Sequence, residues 1–126
     1  MNKRSIGRDY EEKAAAYLEK YGFRVLERNF SSRQGEVDII GIHEREHKPE
    51  LVFVEVKYRK NKTAGYPEEA VNLKKQEKIC RTAEYYRLCH PAYGSMQVRY
   101  DVVTICGEEF QWYQNAFDHV FRKSNV

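Results

Sequence analysis

Two stretches in the first half of the chain alternate between apolar and polar residues with the period of two that is typical of β-strands. They run from Gly35 to Ile42 and from Leu51 to Lys57, and the polar segment from His43 to Glu50 connects them. Alternate residues of a strand lie on the same face of its sheet. One face of the second stretch therefore carries Leu51, Phe53, Glu55 and Lys57. A carboxylate and an ammonium group thus emerge side by side from an otherwise apolar strand.

The register of this predicted hairpin follows from its connection, whose midpoint lies between Glu46 and His47. Because an antiparallel hairpin pairs residues symmetrically about its turn, Asp38 is expected opposite Glu55. Directly opposed residues have Cβ atoms roughly 4.5–5.5 Å apart, and like charges there destabilise a sheet. A divalent cation would compensate for this repulsion, and Mg²⁺ suits the pair because it prefers carboxylate and water oxygens. Mn²⁺ is expected to substitute for it.

Lys57 would lie beside the water that such a metal activates, where an ammonium group can orient the water or stabilise charge on a phosphate. Asp38, Glu55 and Lys57 together therefore fit phosphodiester hydrolysis. A purely structural interpretation is equally compatible with the pattern. The same register pairs Glu36 with Lys57 as an ordinary cross-strand ion pair and leaves Asp38 and Glu55 near a solvated end of the sheet.

Helical periodicity predicts a first helix from about Asp9 to Tyr21, which Gly22 ends. Its apolar face is expected to contain Tyr10, Ala14, Tyr17, Leu18 and Tyr21. At about 100° per residue, Glu11 lies at the edge of this face and Glu12 points away from it. Glu11 is thus the carboxylate that can reach inward to a metal. The alternative is that both acids simply favour the N-terminus of the helix.

The rest of the chain predicts a second helix and three further strands. Phe23 to Phe30 forms the first strand, Ser31 to Gly35 a turn, and Asn72 caps a helix from Leu73 to Leu88. Gln97 to Cys106 and Phe110 to Tyr113 form the last two strands. The predicted order is therefore α-β-β-β-α-β-β.

Gln76 lies on the inner face of the second helix, where a buried amide needs partners. It is a candidate for contact with the scissile phosphate or a water at the metal, and the alternative is a hydrogen bond to the backbone. Asp101 and Trp112 are assigned structural roles. His43 and His47 have a spacing of four residues, but on a turn this spacing does not converge on a metal.

Composition narrows the possible partners only slightly. With 126 residues the chain is expected to form a single domain, residues 1–126, with a flexible arm over residues 1–6 and a C-terminal tail over 118–126. The net charge of +3 is too small to demonstrate a polyanionic partner. Basic residues nevertheless cluster around the proposed site, and the candidates for phosphate contacts are Arg33, Arg59, Lys60, Lys62, Lys74 and Lys75. The alternative is a solvated, charged surface.

The three cysteines, Cys80, Cys89 and Cys106, have neither the number nor the spacing of a disulfide framework or a zinc site. Free thiols suit a reducing cytoplasm. The mean hydropathy is −0.82, and no apolar run approaches the length of a membrane span. We therefore expect a soluble, cytosolic protein without a membrane partner.

At Gly35–Ile40 and Phe53–Arg59 the sequence closely resembles the YraN-like family of predicted nucleases. The resemblance extends from Gly7 to about Phe117. It includes the segments Gly7–Glu12, Arg28–Phe30, Ala70–Val71, Lys75–Gln76, Arg99–Val103 and Asn115–Phe117. That family belongs to the PD-(D/E)XK superfamily, with restriction endonucleases and archaeal Holliday junction resolvases. The proline that names the superfamily is absent, because Val37 precedes Asp38.

This resemblance implies an α/β, restriction-endonuclease-like fold with a mixed central sheet and flanking helices. It implies Asp38, Glu55, Lys57, Glu11 and Gln76 as catalytic residues, with Asp38, Glu55 and Glu11 holding Mg²⁺. It further implies DNA as the partner, branched DNA in particular, and a symmetric homodimer. A different class of function stays open, namely a nucleic-acid-binding or assembly module that keeps the nuclease fold without turnover.

Overall fold

The computed structural model describes residues 3–60 and 71–123, with side chains from residue 9 onward. Lys62 and most of the predicted basic loop after Lys60 lie outside the described residues. In the part of the chain that is described, no helix is long and apolar enough to cross a membrane.

Two helices and five strands form the fold, in the predicted order α-β-β-β-α-β-β. The helices are α1 (Lys3–Lys20) and α2 (Leu73–Cys89), and the strands are β1 (Phe23–Ser32), β2 (Gly35–Arg45), β3 (Lys48–Tyr58), β4 (Gln97–Cys106) and β5 (Glu109–Phe117). A short 3₁₀ helix, Pro91–Tyr93, precedes β4. Asn72 caps α2 as predicted, because its side chain accepts a hydrogen bond from the backbone N–H of Lys75 at 2.8 Å.

The strands form a single mixed sheet in the order β1-β2-β3-β4-β5. Strands β3 and β4 run parallel, and the other neighbouring pairs run antiparallel. A parallel pair needs a crossover between its strands, and α2 supplies it. The expected α/β architecture with a mixed central sheet is thereby confirmed.

The hairpin of β2 and β3 has the predicted register, from Arg45 opposite Lys48 to Ile39 opposite Val54. Its turn consists of Glu46 and His47 alone, whose φ angles of 50° and 66° suit a two-residue hairpin turn. The strands thus continue through most of the segment that we predicted as a polar connection.

The helices cover opposite faces of the sheet, and an apolar cluster lies under each. The cluster under α1 includes Leu18, Ile39, Val52, Val54 and Val103. The cluster under α2 includes Leu51, Phe53, Ile79, Tyr86 and Val102. The predicted division of β3 into two faces is therefore confirmed, and Glu55 and Lys57 follow Leu51 and Phe53 on the face toward α2.

Further details differ from the sequence prediction, and β1 also extends to Ser32 rather than ending at Phe30. Helix α1 begins at Lys3 rather than near Asp9, so part of the expected flexible arm is helical. Tyr21 lies beyond the end of α1 and is 54% exposed, not buried. Strand β5 continues to Phe117 instead of ending at Tyr113, and it passes through Asn115 at a φ of 54°.

The C-terminal tail is packed against α2 as far as Val120, and residues 121–123 are exposed. Arg81 donates a hydrogen bond to the carbonyl of Val120, and the N–H of Val120 donates to the Sγ of Cys80 at 3.3 Å. His119 lies between the hydroxyl of Tyr100, at 2.6 Å, and a carboxylate oxygen of Glu84, at 3.0 Å. The three cysteines are free, as expected.

A buried ionic cluster lies on the α1 face near the hairpin turn. The guanidinium of Arg99 donates two hydrogen bonds to Asp101, at 2.8 and 2.9 Å, and one to Glu50 at 2.8 Å. Asp101 also accepts hydrogen bonds from the indole of Trp112 and the backbone N–H of Asn115. Asp101 therefore has the structural role that we predicted. The burial of Glu50 and of His43, which contacts Arg99 at 3.0 Å, explains why the strands extend so close to the turn.

Replacing Asp101 by Ala should destabilise the protein by roughly 3–5 kcal/mol, because the change removes a buried partner of the Arg99 guanidinium. Urea unfolding measures this loss, and Asp118→Ala, at an exposed carboxylate after β5, is the matched control. A loss no larger than that of the control would contradict a supporting role for this cluster.

Candidate active site

The candidate site lies where the regular pairing of β2 and β3 ends, one position beyond Ile39 and Val54. Val37 packs in the cluster under α2 and Ile39 in the cluster under α1, although residues two apart in a regular strand share a face. On its other side β2 pairs with β1 at Ile39 and again at Val37, but not at the intervening position. Strand β2 is therefore irregular at Asp38.

The carboxylate of Asp38 occupies the gap that this irregularity opens. Its Oδ2 accepts a hydrogen bond from the backbone N–H of Val56 at 2.7 Å. The side chain of Asp38 thus accepts the hydrogen bond that a main-chain carbonyl of β2 would accept from β3 in a regular pair. Asp38 is not a paired register partner of Glu55, because the regular pairing ends at Ile39 and Val54, but its contact with Val56 holds the carboxylate near Glu55.

Glu55 is 5% exposed and approaches two lysines. Its Oε1 lies 3.3 Å from Nζ of Lys75 on α2 and 3.8 Å from Nζ of Lys57. Burial raises the pKa of Glu55 to about 7, the negative charge of Asp38 adds to the increase, and the two lysines oppose it. The repulsion that we inferred from the register is therefore present.

Glu11 reaches the same place from α1. Its Oε2 is buried and has no hydrogen-bond partner in the described part of the chain. Burial, followed by the proximity of Asp38, raises the pKa of Glu11 to about 7, and Asn29 and Arg28 lower it. Glu12 is exposed and lies 3.8 Å from Arg28. The prediction that Glu11 points inward and Glu12 outward is confirmed.

The ammonium of Lys57 contacts Glu55 rather than Glu36. In the sheet, Glu36 is the register partner of Ser31 on β1. The structural interpretation that required an ion pair between Glu36 and Lys57 is thus replaced by a contact inside the carboxylate cluster. The Lys57 side chain is 36% exposed, so it can reach a molecule in solution while staying beside Glu55.

The remaining predicted site residues have different surroundings. Gln76 donates a hydrogen bond to the carbonyl of Val71 at 2.8 Å, which is the backbone contact that we held as its alternative role. The backbone N–H of Arg59 donates to Ile105 at 2.8 Å. Among the predicted phosphate contacts that the structure describes, three are exposed: Lys60 after β3, Lys74 on the first turn of α2 and Arg33 in the turn between β1 and β2.

The donor chemistry of the site fits a hard divalent cation, because Asp38, Glu55 and Glu11 all offer carboxylate oxygens. The orphaned Oε2 of Glu11 is free to be a ligand. Within residues 3–60 and 71–123, however, no three His, Cys, Asp or Glu side chains already stand close enough together to hold a metal ion. The ammonium of Lys75 instead neutralises Glu55. Metal binding would require Lys75 to leave Glu55 and the carboxylates to draw together.

Two features of the site escaped the sequence analysis. Lys75 was expected on a phosphate, and its contact with Glu55 depends on how α2 lies over β3. Asn29 has a φ of 54° beside the position where pairing skips Asp38. The signal for Asn29 was present, because strand alternation is lost at Arg28 and Asn29 and Asn is among the residues that tolerate a left-handed conformation.

Comparison with known proteins gives consistent results over nearly the whole chain. The model of "Uncharacterised protein family UPF0102" matches residues 10–105, a range that contains Glu11, Asp38, Glu55 and Lys57. A UPF0102 protein of Lachnoclostridium phytofermentans is 46% identical over 118 residues, covering 94% of this chain and 97% of the relative. A UPF0102 protein of Fusobacterium nucleatum is 40% identical over 115 residues, covering 91% and 92%. A UPF0102 protein of Persephonella marina is 43% identical over 112 residues, covering 89% and 92%.

The raised pKa of Glu55 predicts how a neutral replacement changes stability. The folded protein binds this proton more tightly than the unfolded chain, so its stability falls as the pH rises from the ordinary value of 4.5 through about 7. Without metal, Glu55→Gln should therefore gain roughly 1–3 kcal/mol relative to wild type between about pH 5 and about pH 8. Urea unfolding in the presence of a chelator at both pH values measures the gain. The exposed Glu12→Gln variant should show none, and a Glu55→Gln difference independent of pH would contradict the electrostatic account.

Proposed function

We propose that this chain, which belongs to the uncharacterised protein family UPF0102, is a magnesium-dependent endonuclease that hydrolyses DNA phosphodiester bonds. The observation that carries the proposal is the convergence of Glu11, Asp38 and Glu55, with Lys57 beside them, at the irregularity of β2. Raised carboxylate pKa values in a cluster of this kind favour a functional site. Membership in the PD-(D/E)XK superfamily is part of the same proposal and rests on the resemblance of the sequence.

Asp38, Glu55 and Glu11 would hold the cation. Asp38 is fixed by Val56, Glu55 is fixed by its place on a central strand, and Glu11 projects from the opposite layer. When bound, Mg²⁺ or Mn²⁺ supplies a Lewis acid that lowers the pKa of water and neutralises charge on the phosphate. The raised pKa values of Glu55 and Glu11 support this assignment, because a bound cation would stabilise the charged carboxylates that burial, and then the charge of Asp38, disfavour.

Lys57 would act on the reacting groups directly. Its ammonium lies beside Glu55 and is partly exposed, so it can orient an attacking water or stabilise charge on the phosphate. Lys75 would move from Glu55 to a phosphate oxygen, since its side chain is 43% exposed and stands on the first turn of α2. Gln76 would position this turn through its hydrogen bond to Val71.

The surrounding cations would track the DNA backbone. Arg59 and Lys60 follow Lys57 along the chain, Lys74 and Lys75 begin α2, and Arg33 lies in the turn before β2. Lys62 belongs to the same proposed track. Action on branched DNA, a symmetric homodimer and a cytoplasmic location rest on the resemblance and the free thiols, and we include them in the proposal on that basis.

A second function has its own supporting observation. The ammonium of Lys75 already neutralises Glu55 at 3.3 Å, as a permanent ion pair would in a protein without metal. A nucleic-acid-binding or assembly module that keeps the fold without turnover would have this arrangement. The two functions differ in whether a divalent cation displaces Lys75.

Metal binding should depend on Asp38. Calorimetry with Mg²⁺ or Mn²⁺ is expected to show binding to wild type and to Glu12→Gln, and lost binding to Asp38→Asn. The asparagine can still accept the hydrogen bond from Val56, and it removes one of the repelling charges. The metal-free variant should therefore be as stable as wild type or more stable. Unchanged binding by Asp38→Asn would remove this residue from the metal site.

Cleavage should depend on Lys57. Lys57→Ala should keep metal and DNA binding but cleave branched and linear DNA at least about a hundredfold more slowly, as expected when a positioned electrostatic group is lost. Lys57→Arg should restore little, because a guanidinium is larger, planar and differently hydrated. Lys48→Ala, at the remote hairpin turn, is the matched control. Wild-type rates from Lys57→Ala would exclude Lys57 from the mechanism, and an inactive wild type would favour the binding module.

A further inference from the structure

Two tyrosines that are chain neighbours of residues in the proposed site form a stacked pair. The rings of Tyr10 and Tyr58 have centroids 4.6 Å apart and planes 18° from parallel. Tyr10 immediately precedes Glu11 on α1, and Tyr58 immediately follows Lys57 at the end of β3. Each tyrosine of the pair is therefore covalently next to a residue of the proposed active site.

This pair differs from the aromatic pairs of the core. Tyr100 and Phe117 also stack, with centroids 5.1 Å apart, but both are buried. Tyr58 is 48% exposed, so its ring is held against Tyr10 while about half of its surface meets solvent. Packing of the core does not require such an arrangement. A rigid, exposed aromatic surface is suited to stacking with another flat ring.

One flank of α1, where Tyr10 and Tyr17 are partly buried and the lysines are exposed, carries further aromatic and basic residues away from the site. With Tyr21 just beyond the end of the helix, it forms a stripe in which aromatic and basic residues alternate, namely Tyr10, Lys13, Tyr17, Lys20 and Tyr21. Tyr17 stacks on Phe110 of β5 with centroids 4.8 Å apart. The ammonium groups of Lys13 and Lys20 each lie 5.9 Å from a ring of the stripe. A surface cavity of about 460 Å³ lies along it, lined in part by Lys13, Tyr17, Lys20 and Phe110.

We propose that single-stranded DNA binds along this stripe, with an unpaired base stacked on Tyr58. This inference rests on the proposed nuclease function and names its substrate class, namely DNA with an unpaired segment next to the cleaved bond. Aromatic faces can stack on bases only where the bases are not already stacked in a duplex. Asp9 pairs with Lys13 at 3.3 Å, and Glu108 also lines the cavity. Because these carboxylates weaken the attraction of the stripe for phosphate, stacking supplies most of the affinity.

Binding of a short fluorescent oligothymidylate in the presence of a chelator tests the proposal without any cleavage. Tyr58→Ala should bind the oligonucleotide roughly 5- to 100-fold more weakly than wild type, and Tyr58→Phe should bind nearly as well because it keeps the ring. Tyr85→Ala is the matched control, since Tyr85 is 47% exposed and stands on α2. It should leave binding unchanged. A blunt duplex of the same length should lose less affinity than the single strand when Tyr58 is replaced.

Wild-type affinity of Tyr58→Ala for the single strand would overturn the stacking site, as would a wild type that binds no single strand. Equal losses for single strand and duplex would also overturn it, because they would indicate a general effect. The nuclease proposal fails separately, if wild type cleaves no DNA with Mg²⁺ or Mn²⁺. Binding of single strands that depends on Tyr58 would then still support the stacking site.

Discussion

The hydrogen bond from the N–H of Val56 to Asp38 is the contact on which the site depends. A regular β2 would satisfy this N–H with a main-chain carbonyl and would turn the Asp38 side chain to one face of the sheet. Because the carboxylate itself is the acceptor, Asp38 stays between the two strands. There it meets Glu11 from the layer of α1 and Glu55 on the face toward α2. An irregularity of one residue thus brings together carboxylates from both layers.

The protein contains two clusters of charged groups, and they are organised in opposite ways. Around Arg99 each carboxylate has a cationic partner at hydrogen-bond distance, and the guanidinium is almost completely buried. Such a cluster is closed and stabilises one structure, since any missing partner would leave a buried charge. Around Asp38 an oxygen of Glu11 has no partner among the described residues, and the two lysines that approach Glu55 are partly exposed. That cluster is open, and its charge favours the arrival of a cation.

Much of this arrangement could be predicted from the sequence, because it depends on local rules. Alternation assigned the faces of β3, and the symmetric turn at Glu46 and His47 fixed the register that brings Asp38 to Glu55. The start of α1 was missed because Lys3 to Gly7 contains a single apolar residue, Ile6.

The features that could not be predicted depend on contacts between distant segments. His43 and Glu50 appeared to belong to a polar loop, and only the insertion of Arg99 from β4 makes them buried strand residues. The contact of Lys75 with Glu55 depends on the placement of α2 over the sheet, which no periodicity encodes.

The ion pair of Lys75 with Glu55 bears on the function of the site. Lys75 does not belong to the core that Ile79, Cys80 and Ala83 form from the buried face of α2, so its displacement would leave that core intact. A counter-ion on a side chain that is 43% exposed can neutralise Glu55 in the absence of metal and can be displaced by a stronger cation. A purely structural ion pair would gain from being fixed, as Arg99 is. The partial exposure of Lys75 is therefore the physical basis on which we propose a metal-dependent enzyme rather than a module without turnover.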